Sequence, residues 1–176
     1  EGDVFALGAS GLLVSLDLAT GQQNWNTDIL ADAQAMNIQW GMSGAPLVTD
    51  HLVIVNPGGA GGKGVLAYDR SSGELKWSAG DSKAGYSSPV LAELCGTRQV
   101  LIFDAVGVAG HDLDSGTELW RHPFPTFCGI NVAQPLALPY DQVFFFAGFD
   151  LGGQVVCRTG MEEQADEVQD EFCHLP

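Results

Sequence analysis

Positive charge is scarce in this sequence: seven Lys and Arg stand against 22 Asp and Glu, for a formal net charge of -15 over 176 residues. Nucleic acid and anionic membrane surfaces are bound through Lys and Arg, so this balance excludes both as partners. No apolar run reaches the roughly 18 residues of a membrane-spanning helix, so no transmembrane segment is expected. The four cysteines, Cys95, Cys128, Cys157 and Cys173, include no C-x-x-C spacing and no adjacent pair. That argues against a zinc site and leaves buried thiols as the expectation. An initiating Met and a signal peptide are also missing, and the opening Glu1-Gly2-Asp3 reads as a piece of a longer product. Glycine, by contrast, is plentiful at 23 residues, and 45% of the chain is hydrophobic, the composition of a globular, turn-rich protein.

What the chain does have is a phrase that occurs three times. The pattern D-x-x-[ST]-G-x-x-x-W runs from Asp17 to Trp25, from Asp69 to Trp77 and from Asp112 to Trp120. Each copy follows a run of small or β-branched apolar residues. Asp and Ser or Thr supply a tight turn, Gly takes the left-handed position, and the residues up to Trp begin the next strand. The copies lie 52 and 43 residues apart, a period that marks a β-propeller or a similar array.

Strands are expected at residues 4–7, 12–16 and 22–25, three where a blade has four. Residues 28–37 are polar and Ala-rich and read as a long connection with one helical turn. A complete blade follows at 45–48, 51–56, 64–69 and 74–77, and another at 89–94, 99–104, 108–112 and 117–120. A fourth begins at 135–138, 142–147 and 154–158. The expected division is therefore residues 1–158 as about three and a half blades, with blade 1 at 1–25 lacking its inner strand, blade 2 at 43–77, blade 3 at 87–120 and an incomplete blade 4 at 132–158.

A second feature recurs in phase. Each inner strand opens on proline, in Ser43-Gly44-Ala45-Pro46, Ser87-Ser88-Pro89 and Val132-Ala133-Gln134-Pro135. Proline is tolerated at the first residue of a strand because its missing N–H is not needed there. Over residues 4–158 these two features resemble the pyrroloquinoline-quinone-like repeat family, whose eight-bladed propellers include quinoprotein alcohol dehydrogenases and a periplasmic outer-membrane assembly lipoprotein. The resemblance implies an all-β fold, a partial β-propeller of four-stranded antiparallel blades. It implies that Trp25, Trp77 and Trp120 pack against the neighbouring blade, and that the protein works in the periplasm or cell envelope. It also raises a catalytic alternative, a PQQ- and calcium-dependent dehydrogenase acting on an alcohol or sugar. In such enzymes the quinone lies between a Trp and a vicinal disulfide, with Ca²⁺ on Glu, Asn and Asp. This chain has no adjacent cysteines, no ligand set that matches residue by residue, and no residue to which a catalytic or metal-binding role can be assigned. PQQ with calcium is therefore an expectation for the full-length protein only.

Strand order places the connection into each inner strand and the second-to-third-strand loop on one face, with the D-x-x-[ST]-G turns on the other. Loops on a rigid scaffold carry function, so the first face, the propeller mouth, is where a ligand or protein partner is expected. Its candidate binding residues are Trp40, Ser43, Tyr86, Ser87, Asn131 and Gln134. Trp40 has two readings: a stacking surface for a flat ligand, or a cap on the groove between blades. Asp17, Asp69 and Asp112 are expected to be structural. The Gly-rich stretch 56–64, which includes Lys63, fails as a phosphate loop because a strand, not a helix, follows it, and a mobile hairpin loop is expected instead. Asp104, and Asp81 with Lys83, are expected to be solvated or turn-capping. His51, His111, His122 and His174 are scattered, with no triad spacing.

Residues 159–176 leave the pattern as an acidic tail. They also allow a frameshift reading: one base later, the Met161 codon followed by a Glu codon becomes Trp, 41 positions after Trp120. Taken together, the chain reads as a non-catalytic binding or scaffold module. The open strand edges of a partial propeller predict self-association of the isolated chain.

Overall fold

In a computed structural model of the chain, residues 2–148 and the strand 153–157 are described, the latter as backbone only. The tail and the proposed frameshift lie outside these residues. Among the described residues, four antiparallel sheets follow one another in sequence. The first holds β1 (Asp3–Leu7), β2 (Leu12–Asp17) and β3 (Gln23–Asp28). After the helix α1 (Ile29–Ala33) comes a four-stranded sheet of β4 (Leu47–Val48), β5 (Leu52–Val55), β6 (Val65–Asp69) and β7 (Leu75–Ala79). The third contains β8 (Val90–Leu94), β9 (Thr97–Phe103), β10 (Gly107–Asp112) and β11 (Glu118–Pro123). A short 3-10 turn, Phe127–Gly129, precedes the last sheet of β12 (Leu136–Leu138), β13 (Gln142–Phe146) and β14 (Gly153–Cys157). Within each sheet the strands pair in sequence order, the up-and-down meander of a propeller blade.

The apolar runs of the middle strands are explained by burial on both faces. Side chains alternate along a strand, so Val53, Val55, Leu66 and Tyr68 join Leu13, Trp25 and Ile29 in one core. Their neighbours Ile54, Val65 and Ala67 turn the other way and pack with Val100, Ile102 and Leu113. The next layer brings Leu101, Phe103 and Phe124 against Val143 and Phe145, with Phe145 edge-on to Phe124 at 5.2 Å. Each core is thus a layer between consecutive sheets. Each inner strand begins one residue after its proline, at Leu47, Val90 and Leu136. The outer strands β3, β7 and β11 run two or three residues past their Trp, further than the turn pattern indicated.

The repeated phrase builds the same device each time. The Asp69 carboxylate accepts from the Ser71 hydroxyl (2.6 Å), the Ser71 amide and the Ser72 amide. Asp17 and Asp112 do the same with Thr20 and Ser115 and the amides before them. Gly21, Gly73 and Gly116 then take φ of 70°, 73° and 74°, and each amide returns to the carbonyl of its Asp. The strand that follows pairs its Trp with a small residue, Ser15↔Trp25, Ala67↔Trp77 and Gly110↔Trp120, each beside a register shift. The indole of Trp25 crosses to the second sheet, donates to the Arg70 carbonyl at 3.0 Å and lies over Gly73. Trp77 repeats this on the third sheet, donating to the Leu113 carbonyl at 3.1 Å and covering Gly116. Trp120 is also buried and donates to the Gln99 amide oxygen at 2.7 Å; the turn after β14 lies outside the described residues.

These turns make the fold acid-sensitive. Hydrogen bonds from Thr20, Ser71 and Ser115 hold the carboxyls of Asp17, Asp69 and Asp112 below their ordinary value of 3.8. A carboxyl whose folded pKa lies below its unfolded one contributes stability above the unfolded value, and that contribution is lost as pH falls through the folded value. The thermal midpoint is therefore expected to fall below pH 4 (about the unfolded carboxyl pKa). Replacing the three Asp by Asn should flatten that fall, and an unchanged slope would place the acid sensitivity elsewhere.

The structure corrects the expectations for the cysteines and the Gly-rich loop and decides between the two for Asp104. Cys95 and Cys128 are exposed rather than buried, because each occupies a turn at positive φ (50° and 62°), Cys95 in the tight β8–β9 hairpin. Of the two roles expected for Asp104, the structure gives turn capping, in a buried setting: it caps the amides of Val106 and Gly107 and pairs with Arg121 at 2.8 Å. The Gly-rich loop is packed at its base. A Cβ on Gly58 would strike the Ala84 backbone and one on Gly59 the Ala33 carbonyl, while Gly61 and Gly62 face open space.

Candidate functional site

The mouth face is assembled from the connections 34–46, 80–89 and 124–135 and the loops 8–11, 56–64 and 104–106, all at the same end of the strands. Asp28 caps α1 by accepting from the Leu30 and Ala31 amides, and Gln34 ends it in the left-handed conformation. The chain is then tied back to the first sheet, with Asn37 Nδ2 and the Met42 amide both donating to the Ala9 carbonyl. Between these ties Gly41 (φ 80°) turns against Ala9 and leaves Trp40 standing 61% exposed.

A line of hydrogen bonds binds the connections to one another. The Ser43 hydroxyl donates to the Tyr86 carbonyl (3.3 Å), and the Ala45 amide donates to Ser88 Oγ (2.8 Å). One repeat further, the Ser87 hydroxyl donates to the Ala133 carbonyl (3.0 Å) and the Tyr86 amide to the Asn131 carbonyl (2.8 Å). Glycine is needed where these segments touch: a Cβ on Gly44 would lie 2.7 Å from the Ser87 carbonyl, and one on Gly85 would lie 2.7 Å from that of Phe103. The rim is therefore rigid where it carries its aromatic side chains. Trp40 and the half-exposed Tyr86 meet with ring centroids 5.7 Å apart and planes inclined at 52°.

The six candidate residues separate into two roles. Trp40, Tyr86, Ser43 and Gln134 reach the surface. Ser87 and Asn131 are buried and hold the rim. Asn131 Nδ2 donates to the Asp104 carbonyl at 2.6 Å, and its side-chain oxygen is enclosed without a partner. Beneath them lies a water-sized cavity of about 10 Å³, lined by Met42, Ser43, Gly85, Ser87 and Pro89 among others. Three exposed apolar residues, Met36, Val106 and Val132, belong to the same face. Sequence reasoning missed them because exposure of a single apolar residue has no sequence signature.

Deeper in the third sheet, Arg121 bridges Asp104 and Glu118, the latter at 2.9 Å. His111 is fully buried: its Nδ1–H donates to the Gly116 carbonyl (3.0 Å), and burial lowers its pKa and keeps the ring neutral. Tyr68 donates to Asp32 at 2.9 Å, fastening α1 to the second sheet, and burial raises its pKa. These groups hold the scaffold.

A quinone with calcium, the catalytic alternative that the resemblance raised, needs several oxygen donors converging on the metal. Among the described residues no three His, Cys, Asp or Glu side chains converge. The mouth-face carboxylates are already engaged: Asp28 at the helix cap, Asp32 by Thr27 and Tyr68, Asp81 by the Gly62 amide, and Asp104 by Arg121. The described residues offer no donor set that fits the group.

Sheets locked by a turn-and-tryptophan repeat, presenting loops around one mouth, define a β-propeller of the PQQ-like repeat class. Within that class, the chain belongs to the family described as outer membrane protein assembly factor BamB, which matches residues 1–148. Among solved structures it is similar to BamB from Moraxella catarrhalis, at 19% identity over 81% of this chain and 39% of that one, with a TM-score of 0.56. The PilY1 C-terminal domain of Pseudomonas aeruginosa is 18% identical, with 81% and 35% covered and a TM-score of 0.58. A quinohemoprotein alcohol dehydrogenase from Pseudomonas putida HK5 is 17% identical, with 88% and 29% covered and a TM-score of 0.50. At such identities the likeness is one of fold, which hosts both scaffolds and enzymes. The chain spans less than two fifths of each of these structures. No curated protein sequence matches significantly. No helix among the described residues is long and apolar enough to cross a membrane.

Proposed function

We propose that this chain is part of a non-catalytic binding and scaffold module of the cell envelope, which takes a protein partner at the mouth through Trp40 and Tyr86. The observation that carries this reading is the exposed indole beside Tyr86, on a rim fixed by hydrogen bonds between successive blades. Large exposed aromatic side chains on a preorganised surface are typical anchors of protein interfaces. Membership of the assembly-factor family and the envelope association of that family support the same reading.

The double variant Trp40→Ala/Tyr86→Ala should keep its denaturation midpoint, since both side chains extend outward, and should lose capture of its partner from an envelope extract. Leu18→Ala, on the opposite face, should retain it. Equal capture by all three proteins would reject the mouth as the site. The competing reading, part of a PQQ- and calcium-dependent dehydrogenase, would replace this one if titrating the whole protein with PQQ and Ca²⁺ changed its spectrum and gave dye-linked alcohol or sugar oxidation.

A further inference from the structure

We infer that His111 is an acid-released latch: its neutral ring keeps the seam between the second and third sheets closed, and its protonation opens that seam at the root of the mouth connection that carries Tyr86. The latch works whatever the mouth binds. His111 lies on β10, fully buried, with Nδ1 3.0 Å from the Gly116 carbonyl. A carbonyl only accepts, so Nδ1 carries the proton of the neutral ring and Nε2 is left as an enclosed lone pair without a partner. The ring has nowhere to put a second proton.

Among the described residues Glu118, on β11, supplies the only carboxylate within 4 Å of Nε2, and at 3.9 Å it is too far to accept. The same oxygen is already taken by Arg121, through Nε at 3.1 Å and Nη2 at 2.9 Å. Arg121 in turn holds the buried Asp104 at 2.8 Å, so drawing Glu118 onto the ring would undo that arrangement as well. The carboxylates next along the chain are bound elsewhere, Asp112 by Ser115 and Asp81 by the Gly62 amide. The second sheet closes over the ring with apolar groups: a Cβ on Gly80 would lie 3.6 Å from His111 Cε1, 4.0 Å from Nε2 and 3.9 Å from Val65. Trp77 of that sheet covers Gly116, whose carbonyl takes the other ring nitrogen. Water therefore reaches a charged ring only if the second sheet moves away. Gly80 begins the connection to Tyr86, and the line from Glu118 through Arg121 to Asp104 arrives there too: the Asp104 carbonyl holds Asn131 Nδ2, and the Asn131 carbonyl holds the Tyr86 amide. Burial keeps the His111 pKa below its ordinary 6.5, so its contribution to closure is complete above that value and is lost as pH falls from there to the folded value.

The test is amide hydrogen exchange of the full chain at single-residue resolution, between about pH 7.5 and about pH 5.5 and corrected for the intrinsic pH dependence of exchange. The amides of Gly64, bonded to the Gly80 carbonyl, and Tyr86, bonded to that of Asn131, should lose protection by up to about tenfold for each pH unit below 6.5. The Met42 amide, bonded to the Ala9 carbonyl at the first sheet, should keep its protection. His111→Asn retains a donor for the Gly116 carbonyl but does not titrate, and should remove the pH dependence at Gly64 and Tyr86. Should this variant not fold, the parent still decides: the Cε1 proton signal of His111 should titrate below pH 6.5, in step with the loss of protection. Protection at Gly64 and Tyr86 that is constant over this range would overturn the inference. So would an equal loss at Met42, a pH dependence that survives His111→Asn, or a His111 signal that titrates at or above 6.5.

Discussion

Replacing Gly73 or Gly116 by Ala will destabilise the chain by about 3 kcal/mol, whereas the same change at Gly21 will cost about 1 kcal/mol. The three glycines occupy the same turn at nearly the same φ, 70°, 73° and 74°, so the conformational penalty is common to all. Their surroundings differ. A Cβ on Gly21 meets nothing within 4 Å, one on Gly73 lies 2.8 Å from the Trp25 ring, and one on Gly116 lies 2.5 Å from that of Trp77. The excess over Gly21 is therefore the cost of pushing an indole off the neighbouring sheet. Urea denaturation of the three variants measures it, and three equal losses would mean that the indoles do not dock where the structure puts them.

Trp25→Ala will lose about 3–5 kcal/mol, the usual cost of removing a buried indole. Trp25 is 8% exposed, packs with Leu13, Ile29 and Tyr68, and meets Phe5 at 5.8 Å. Trp25→Phe separates packing from hydrogen bonding. It keeps much of the apolar contact but leaves the Arg70 carbonyl without its 3.0 Å donor, for a loss of about 1–2 kcal/mol. Denaturation curves for both variants give the comparison. Losses of equal size would assign all of the stabilisation to the N–H group, contrary to the packing seen around the ring.

The fold was readable because its phrase repeats physical constraints, not only letters. Asp and Ser or Thr close the turn, Gly bears the positive φ, and Trp spans to the next sheet, so three occurrences fixed the period and the strand order. The prolines before Leu47, Val90 and Leu136 marked the inner strands independently. Loop direction then put the candidate residues on one face, and the structure brings Trp40 to Tyr86 and Ser43 to the Tyr86 carbonyl. What could not be read was which of them face outward. Ser87 and Asn131 have the same polar character as Ser43 and Gln134, and only close approach of neighbouring loops, through the Ala133 and Asp104 carbonyls, buries them. Cys95 and Cys128 were misplaced for the converse reason, since an average preference for burial gives way to a turn at positive φ.

The most direct measurement of the mouth as the binding face is site-specific photo-crosslinking in the intact envelope, with the reactive residue placed in turn at position 40 and at position 18. Trp40 and Leu18 are comparably exposed, at 61% and 66%, and lie on opposite faces, so accessibility alone does not distinguish them. A discrete adduct from position 40 and none from position 18 is the predicted result. An adduct from position 18 alone, or equal adducts from both, would contradict binding at the mouth and move the search to the acidic turns.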